Sequence, residues 1–149
     1  MATDGKSWEG HFEEICESRG IGIVRFYDVT NGYKKVDNPS DFVISRSEGE
    51  PSILVECKAV NSKKSFSLKF DQLDRLLKLP TFKSAVAIWF VQTRRIIALS
   101  AREMGRLRDS GIKSINPDRM SGIEYVDLNP VYKRINPCDL EVENLWKLN

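Results

Sequence analysis

Cysteine, histidine and long apolar stretches are all scarce in this sequence. The three cysteines (Cys16, Cys57, Cys138) are far apart, odd in number and form no CxxC pair. They support neither a disulfide framework nor a zinc site, and a reducing, cytoplasmic setting is expected. No apolar run approaches the roughly 18 residues that a membrane span needs. The first residues, MATDGKSWEG, are polar and acidic and carry no apolar signal segment. Internal repeats, low-complexity tracts and long linkers are missing too, so residues 1–149 are expected to form one domain.

What is present is a globular composition, 41% hydrophobic and 30% charged. The net charge of +2 hides an uneven distribution. Residues 1–20 carry two Lys/Arg against five Asp/Glu, residues 58–83 seven against two, and residues 94–119 seven against three. Two stretches are therefore locally basic, which suits a polyanionic partner but also an ordinary solvated face.

Periodicity gives the element order. Ser7–Arg19 reads as a helix with Ser7 as its N-cap, ended by Gly20 and Gly22. Ile21–Asp28 has strand character, Thr30–Ser40 is turn-rich, and Asp41–Arg46 is a short strand. Glu48–Pro51 forms a hairpin turn into a second apolar strand, Ile53–Val60. A helix follows from about Phe70, with Leu73, Leu76 and Leu77 on one face. Ala85–Val91 is a fully apolar run, expected as a buried strand. Arg94 and Arg95 turn the chain into Ile96–Leu99, and Ser100 caps a basic helix that Gly111 stops. The proline-bearing tail reads as loops with a short closing segment. The order α-β-β-β-α-β-β-α predicts an α/β domain: a mixed central sheet flanked by helices.

One strand departs from what stability alone would select. Side chains alternate along a strand, so Ile53, Val55 and Cys57 share one face while Leu54, Glu56 and Lys58 share the other. A carboxylate and an ammonium two residues apart in an apolar strand cost several kcal/mol each unless paired or metal-bound. Asp41 opens the preceding strand of the same hairpin, and antiparallel neighbours lie about 4.8 Å apart, so Asp41 is expected beside Glu56. Two adjacent carboxylates repel unless a cation intervenes, and oxygen donors suit Mg²⁺. Lys58 would orient the attacking water or neutralise charge building on a phosphate. The reaction so indicated is metal-assisted phosphodiester hydrolysis. The plainer reading is a salt bridge at a sheet edge.

The pattern D-x(14)-E-x-K formed by Asp41, Glu56 and Lys58 resembles the active site of the PD-(D/E)XK nuclease superfamily, with its restriction-endonuclease-like core. The stretch ECKAVNSKKSFSLKFDQLDRLLKL resembles the RecU-type Holliday-junction resolvases. There E-x-K precedes a short loop, a Ser-Phe-x-Leu segment, an aromatic residue and a Gln opening a helix; here these are Ser65, Phe66, Leu68, Phe70 and Gln72. GKSWEGHFEE resembles that family's first helix, and AVAIWFV with RRIIALSAREM its later strands and helix. The resemblance implies metal binding by Asp41, Glu56 and the carbonyl of Cys57, with Mg²⁺ or Mn²⁺ as cofactor. It implies action of Lys58 at the scissile phosphate, support from Gln72 and an approach by Glu9 from the first helix. Ser40 matches a small hydroxyl residue before the metal-binding Asp. DNA is the implied partner, a four-way junction above all, cut by a homodimer in paired nicks. One departure is clear: only Thr30–Pro39 lies where RecU-type enzymes carry an extended stalk. In this the chain resembles the compact archaeal-type resolvases, or a phage or mobile-element nuclease trimmed to the core.

Lys63, Lys64 and Lys69 flank the site and are the leading candidates for phosphate contacts; Lys34, Lys35, Arg94 and Arg95 are further ones. His11 reads as an exposed helix residue, since a metal-activated water needs no histidine base. Phe66 and Phe70 read as core residues, with contact to DNA as the alternative, and Trp89 reads as core. Two competing readings use the same fold: a restriction- or repair-type nuclease, and a non-catalytic DNA-binding module.

Overall fold

The computed structural model describes residues 5–26, 30–31, 34–35, 38–129 and 140–149, with backbone alone for 5–7, 30–31 and 34–35. Helix α1 spans Gly5–Ser18. It starts two residues before the Ser7 cap expected from sequence, because a capping residue favours a start without enforcing one. Its end is a Schellman turn: Gly20 takes φ 70°, Ile21 N–H reaches the Cys16 carbonyl at 2.9 Å, and Gly20 N–H reaches Glu17. Gly22 is not part of that stop but the first residue of strand β1, Gly22–Arg25, which is shorter than the expected Ile21–Asp28. Tyr27 and Asp28 lie outside the described residues. Within the turn-rich segment, β2 (Thr30–Asn31) and β3 (Lys34–Lys35) pair as a small hairpin.

The hairpin β4 (Phe42–Ser45) and β5 (Ile53–Val60) forms as expected, turning through Gly49 at φ 86°. After β6 (Phe66–Ser67) come α2 (Asp71–Leu77), β7 (Lys83–Phe90) and β8 (Arg95–Ser100). Helix α3 (Ala101–Asp109) is capped by Ser100, whose hydroxyl accepts the Glu103 N–H at 3.0 Å. Two further short strands, β9 (Ser114–Ile115) and β10 (Val126–Asp127), precede a closing 3-10 helix, Val142–Lys147. The sequence reading assigned loops to β9 and β10. Strands of two residues are too short to display alternation, so only their partners reveal them.

Six strands form one mixed sheet in the order β1-β4-β5-β7-β8-β10. Only β5 and β7 run parallel, joined through α2; the other neighbours are antiparallel. β6 and β9 form a separate two-stranded sheet. The central strands are apolar on both faces because helices cover both. On one face α1 and the 3-10 helix bury Trp8, Phe12, Val55, Cys57, Ala87 and Leu145. On the other, α2 and α3 bury Leu54, Leu73, Leu76, Ile88, Leu99 and Met104. Trp8 fixes α1 on the sheet by donating its indole N–H to the Ala87 carbonyl at 3.1 Å. Gly105 allows α3 to close on α2, where a Cβ would stand 3.1 Å from Leu77. Among the described residues no helix is long and apolar enough to cross a membrane.

Candidate active site

The site lies where β4 runs out while β5 continues. The register Phe42↔Val55, Val43↔Leu54 extends one step to set Asp41 opposite Glu56. Asp41 has left the ladder with β5, yet its own carbonyl still accepts from Phe26 N–H at 2.8 Å. Its side chain folds over the end of β4: Oδ2 accepts the Cys57 backbone N–H at 2.8 Å. In a strand, a residue's N–H and C=O point to the same flank, so the Cys57 carbonyl is turned toward this gap as well. The Cys57 side chain points into the core, where burial pushes its thiol well above the ordinary range. Ser40, buried, donates its hydroxyl to the Phe42 carbonyl at 2.9 Å and shapes the turn into Asp41.

Glu56 is 4% exposed. Burial, followed by the charge of Asp41, raises its carboxyl to about 7, although Lys58 works against the shift. Lys58 Nζ stands 3.2 Å from Glu56 Oε2 and donates to Gln72 Oε1 at 3.3 Å. It also lies 5.5 Å from the centre of the Phe70 ring, which packs edge-on against Phe66. The alternation argument therefore brings Glu56 and Lys58 to one face, and the first turn of α2 supplies Gln72.

Glu9 reaches the same corner from α1. Its carboxyl is raised to about 7, first by burial and then by the charge of Asp41 and a hydrogen bond with it. Arg25 opposes this, binding Glu9 Oε2 at 2.8 Å and Glu13 at 3.4 Å, with its guanidinium 5.6 Å from the Phe42 ring. The sequence reading passed over Arg25. Its signal was there: a charge inside the apolar run IGIVRFYD, the same kind of anomaly that marked Glu56.

Among the described residues no group of three or more His, Cys, Asp or Glu side chains forms a ready metal cage. The donors present are hard oxygens: the carboxylates of Asp41 and Glu56, backed by Glu9. An incomplete oxygen shell of this kind suits Mg²⁺, which keeps several waters, better than Zn²⁺.

Lys63 and Lys69 line the groove that opens beside Lys58, and Lys64 is exposed on the same loop. Arg94 is exposed at the β7–β8 turn, with φ 54°. Arg95 is held within the protein, donating to the Pro117 carbonyl and to Asp127 at 3.2 Å, with Asp118 at 3.8 Å. The side chains of Lys34 and Lys35 lie outside the described residues. His11 is half-buried and edge-on to Trp89 at 6.2 Å, so it is not the exposed residue expected; α1 packs it against the sheet.

The six-stranded mixed sheet with helices on both faces is a fold shared with a solved structure. It matches the structure of Hjc from Archaeoglobus fulgidus, a Holliday junction resolvase from an archaeal hyperthermophile, with a TM-score of 0.54. The match covers 76% of this chain and 89% of that one at 13% sequence identity, a likeness of fold. No protein-family profile and no curated protein matches the sequence.

Proposed function

We propose that this protein is a divalent-metal-dependent DNA endonuclease that resolves four-way junctions by paired nicks. The observation that carries this reading is the meeting of Asp41, Glu56 and Lys58 at the open end of β4, on a fold shared with a resolvase.

Asp41 and Glu56 would hold Mg²⁺ or Mn²⁺, with the Cys57 carbonyl as a neutral third donor. The bound metal would polarise a phosphoryl oxygen and lower the pKa of a water. The chain's own groups do the rest. The Cys57 N–H fixes the Asp41 carboxylate, so its orientation does not depend on a bound ion. Lys58, held by Gln72, presents a fixed positive charge for a phosphate that gains charge during reaction. Glu9, adjoining Asp41, adds negative charge that favours a cation there. The exposed Lys63, Lys64 and Lys69 engage flanking phosphates. Two symmetric cuts require two such sites, which a two-fold homodimer supplies.

The test is cleavage of a four-way junction against linear duplex and single strands, with Mg²⁺ or Mn²⁺ and a Glu56→Gln control. Paired nicks in the junction, lost in the control, are expected. Cutting of linear duplex at a fixed sequence, with junctions left intact, would replace the resolvase reading by a restriction- or repair-type nuclease. Tight junction binding without cleavage of any DNA would make the protein a binding module.

A further inference from the structure

The small β6–β9 sheet joins two segments that are far apart in sequence. Phe66 pairs with Ile115 and Ser67 with Ser114, and Leu68 N–H donates to the Lys113 carbonyl at 2.9 Å. Leu68 and Ile115 are buried, so alternation gives this sheet an apolar underside and an outer side bearing Ser65, Ser67, Lys69, Ser114 and Asn116. A tight turn follows: Arg119 N–H donates to the Asn116 carbonyl and Asp118 N–H to its side-chain oxygen, both at 2.9 Å. The turn delivers Arg119 to a second groove, also lined by Ser114 and Asn116. Ser65 borders both this groove and the one beside Lys58, so the two adjoin.

The cations here differ from those nearby. Arg106 is bound by Glu103, Arg108 by Asp74 and Arg95 by Asp127. Lys63, Lys69, Lys113 and Arg119 are exposed and form no ion pair among the described residues. The turn's own carboxylate, Asp118, is drawn toward Arg95.

We infer that the outer side of the β6–β9 sheet, with Arg119 on the turn that follows it, is a second DNA-backbone contact that grips the arm leading away from the cleavage point. Hydroxyl and amide side chains beside unpaired cations are the usual partners of phosphate oxygens and carry no base information. The surface therefore adds affinity without sequence preference and takes no part in bond cleavage. This inference rests on the nuclease reading for the placement of the cleavage point, but the binding itself is measured separately.

The experiment compares wild type with Arg119→Ala for affinity to a labelled four-way junction across a salt series in EDTA. It adds single-turnover cleavage at saturating protein with Mg²⁺. The expected result is about threefold or weaker binding, a log–log salt slope reduced by about 1 and an unchanged cleavage rate. Arg119→Lys should retain the wild-type slope, and Lys147→Ala, in the 3-10 helix, should leave it unaltered. An unchanged slope in Arg119→Ala, or an equal loss in Lys147→Ala, overturns the inference. So does a slowed saturated cleavage rate. If wild type cuts no DNA but Arg119→Ala still loses binding, the contact surface stands and the nuclease reading fails.

Discussion

Asp41 Oδ2 and the Cys57 backbone N–H, 2.8 Å apart, join the end of β4 to the middle of β5 after the ladder between these strands has stopped. The bond bridges the two strands beyond the last ladder pair and holds a carboxylate toward Glu56. This structural demand on Asp41 is separable from its charge, because a neutral amide oxygen also accepts from an N–H.

Asp41→Asn should keep the fold, with melting within a few degrees of wild type, and lose metal-dependent cleavage. Removing the Asp41 charge also removes the second cause of the Glu56 shift, so the Glu56 carboxyl should titrate lower. Carboxyl-carbon NMR of metal-free protein measures it, and an unmoved Glu56 would count against the electrostatic account.

Stability of the metal-free protein should fall as pH rises from about 5 to 8. The folded state holds the Glu56 proton more tightly than the unfolded chain, because its carboxyl sits at about 7 and not at 4.5. The resulting stability is fully present below the unfolded value and is lost as pH climbs through the folded one. The loss amounts to about 3 kcal/mol for this group. Glu56→Gln should reduce the dependence in thermal melts but leave the share of Glu9, whose carboxyl is also raised to about 7, and Mg²⁺ should stabilise wild type at pH 8 more than the variant.

Lys58→Ala should reduce saturated cleavage by about 10²–10³-fold, the usual cost of removing one fixed charge from a reacting centre. Gln72→Ala leaves the ammonium present but unheld, so about tenfold is expected. Equal losses in the two variants would assign Gln72 a direct role.

Arg25 and Glu9 form a partly buried pair at 2.8 Å. Arg25→Ala should destabilise the protein by about 1–3 kcal/mol because it leaves Glu9 facing Asp41 without a counter-charge. Adding Glu9→Gln should recover much of this loss, and a double-mutant cycle in urea reads the coupling.

Much of this protein follows from local sequence. Strand β5 was expected at Ile53–Val60 and is found there, since an apolar strand bounded by turn residues leaves little freedom in its limits. The separation of Cys57 from Glu56 and Lys58 follows from alternation alone. The Ser100 cap and the Gly20 stop were legible because they act within one helical turn. What sequence could not supply depends on contacts between distant residues. The Arg25 clamp on Glu9 spans 16 positions, and the β6–β9 pairing joins Phe66 to Ile115. The open end of β4 exists only because three strands come to lie side by side. Local periodicity determined which faces carry charge; the tertiary structure alone decided which charges meet, because burial and Coulomb interaction depend on distance in space.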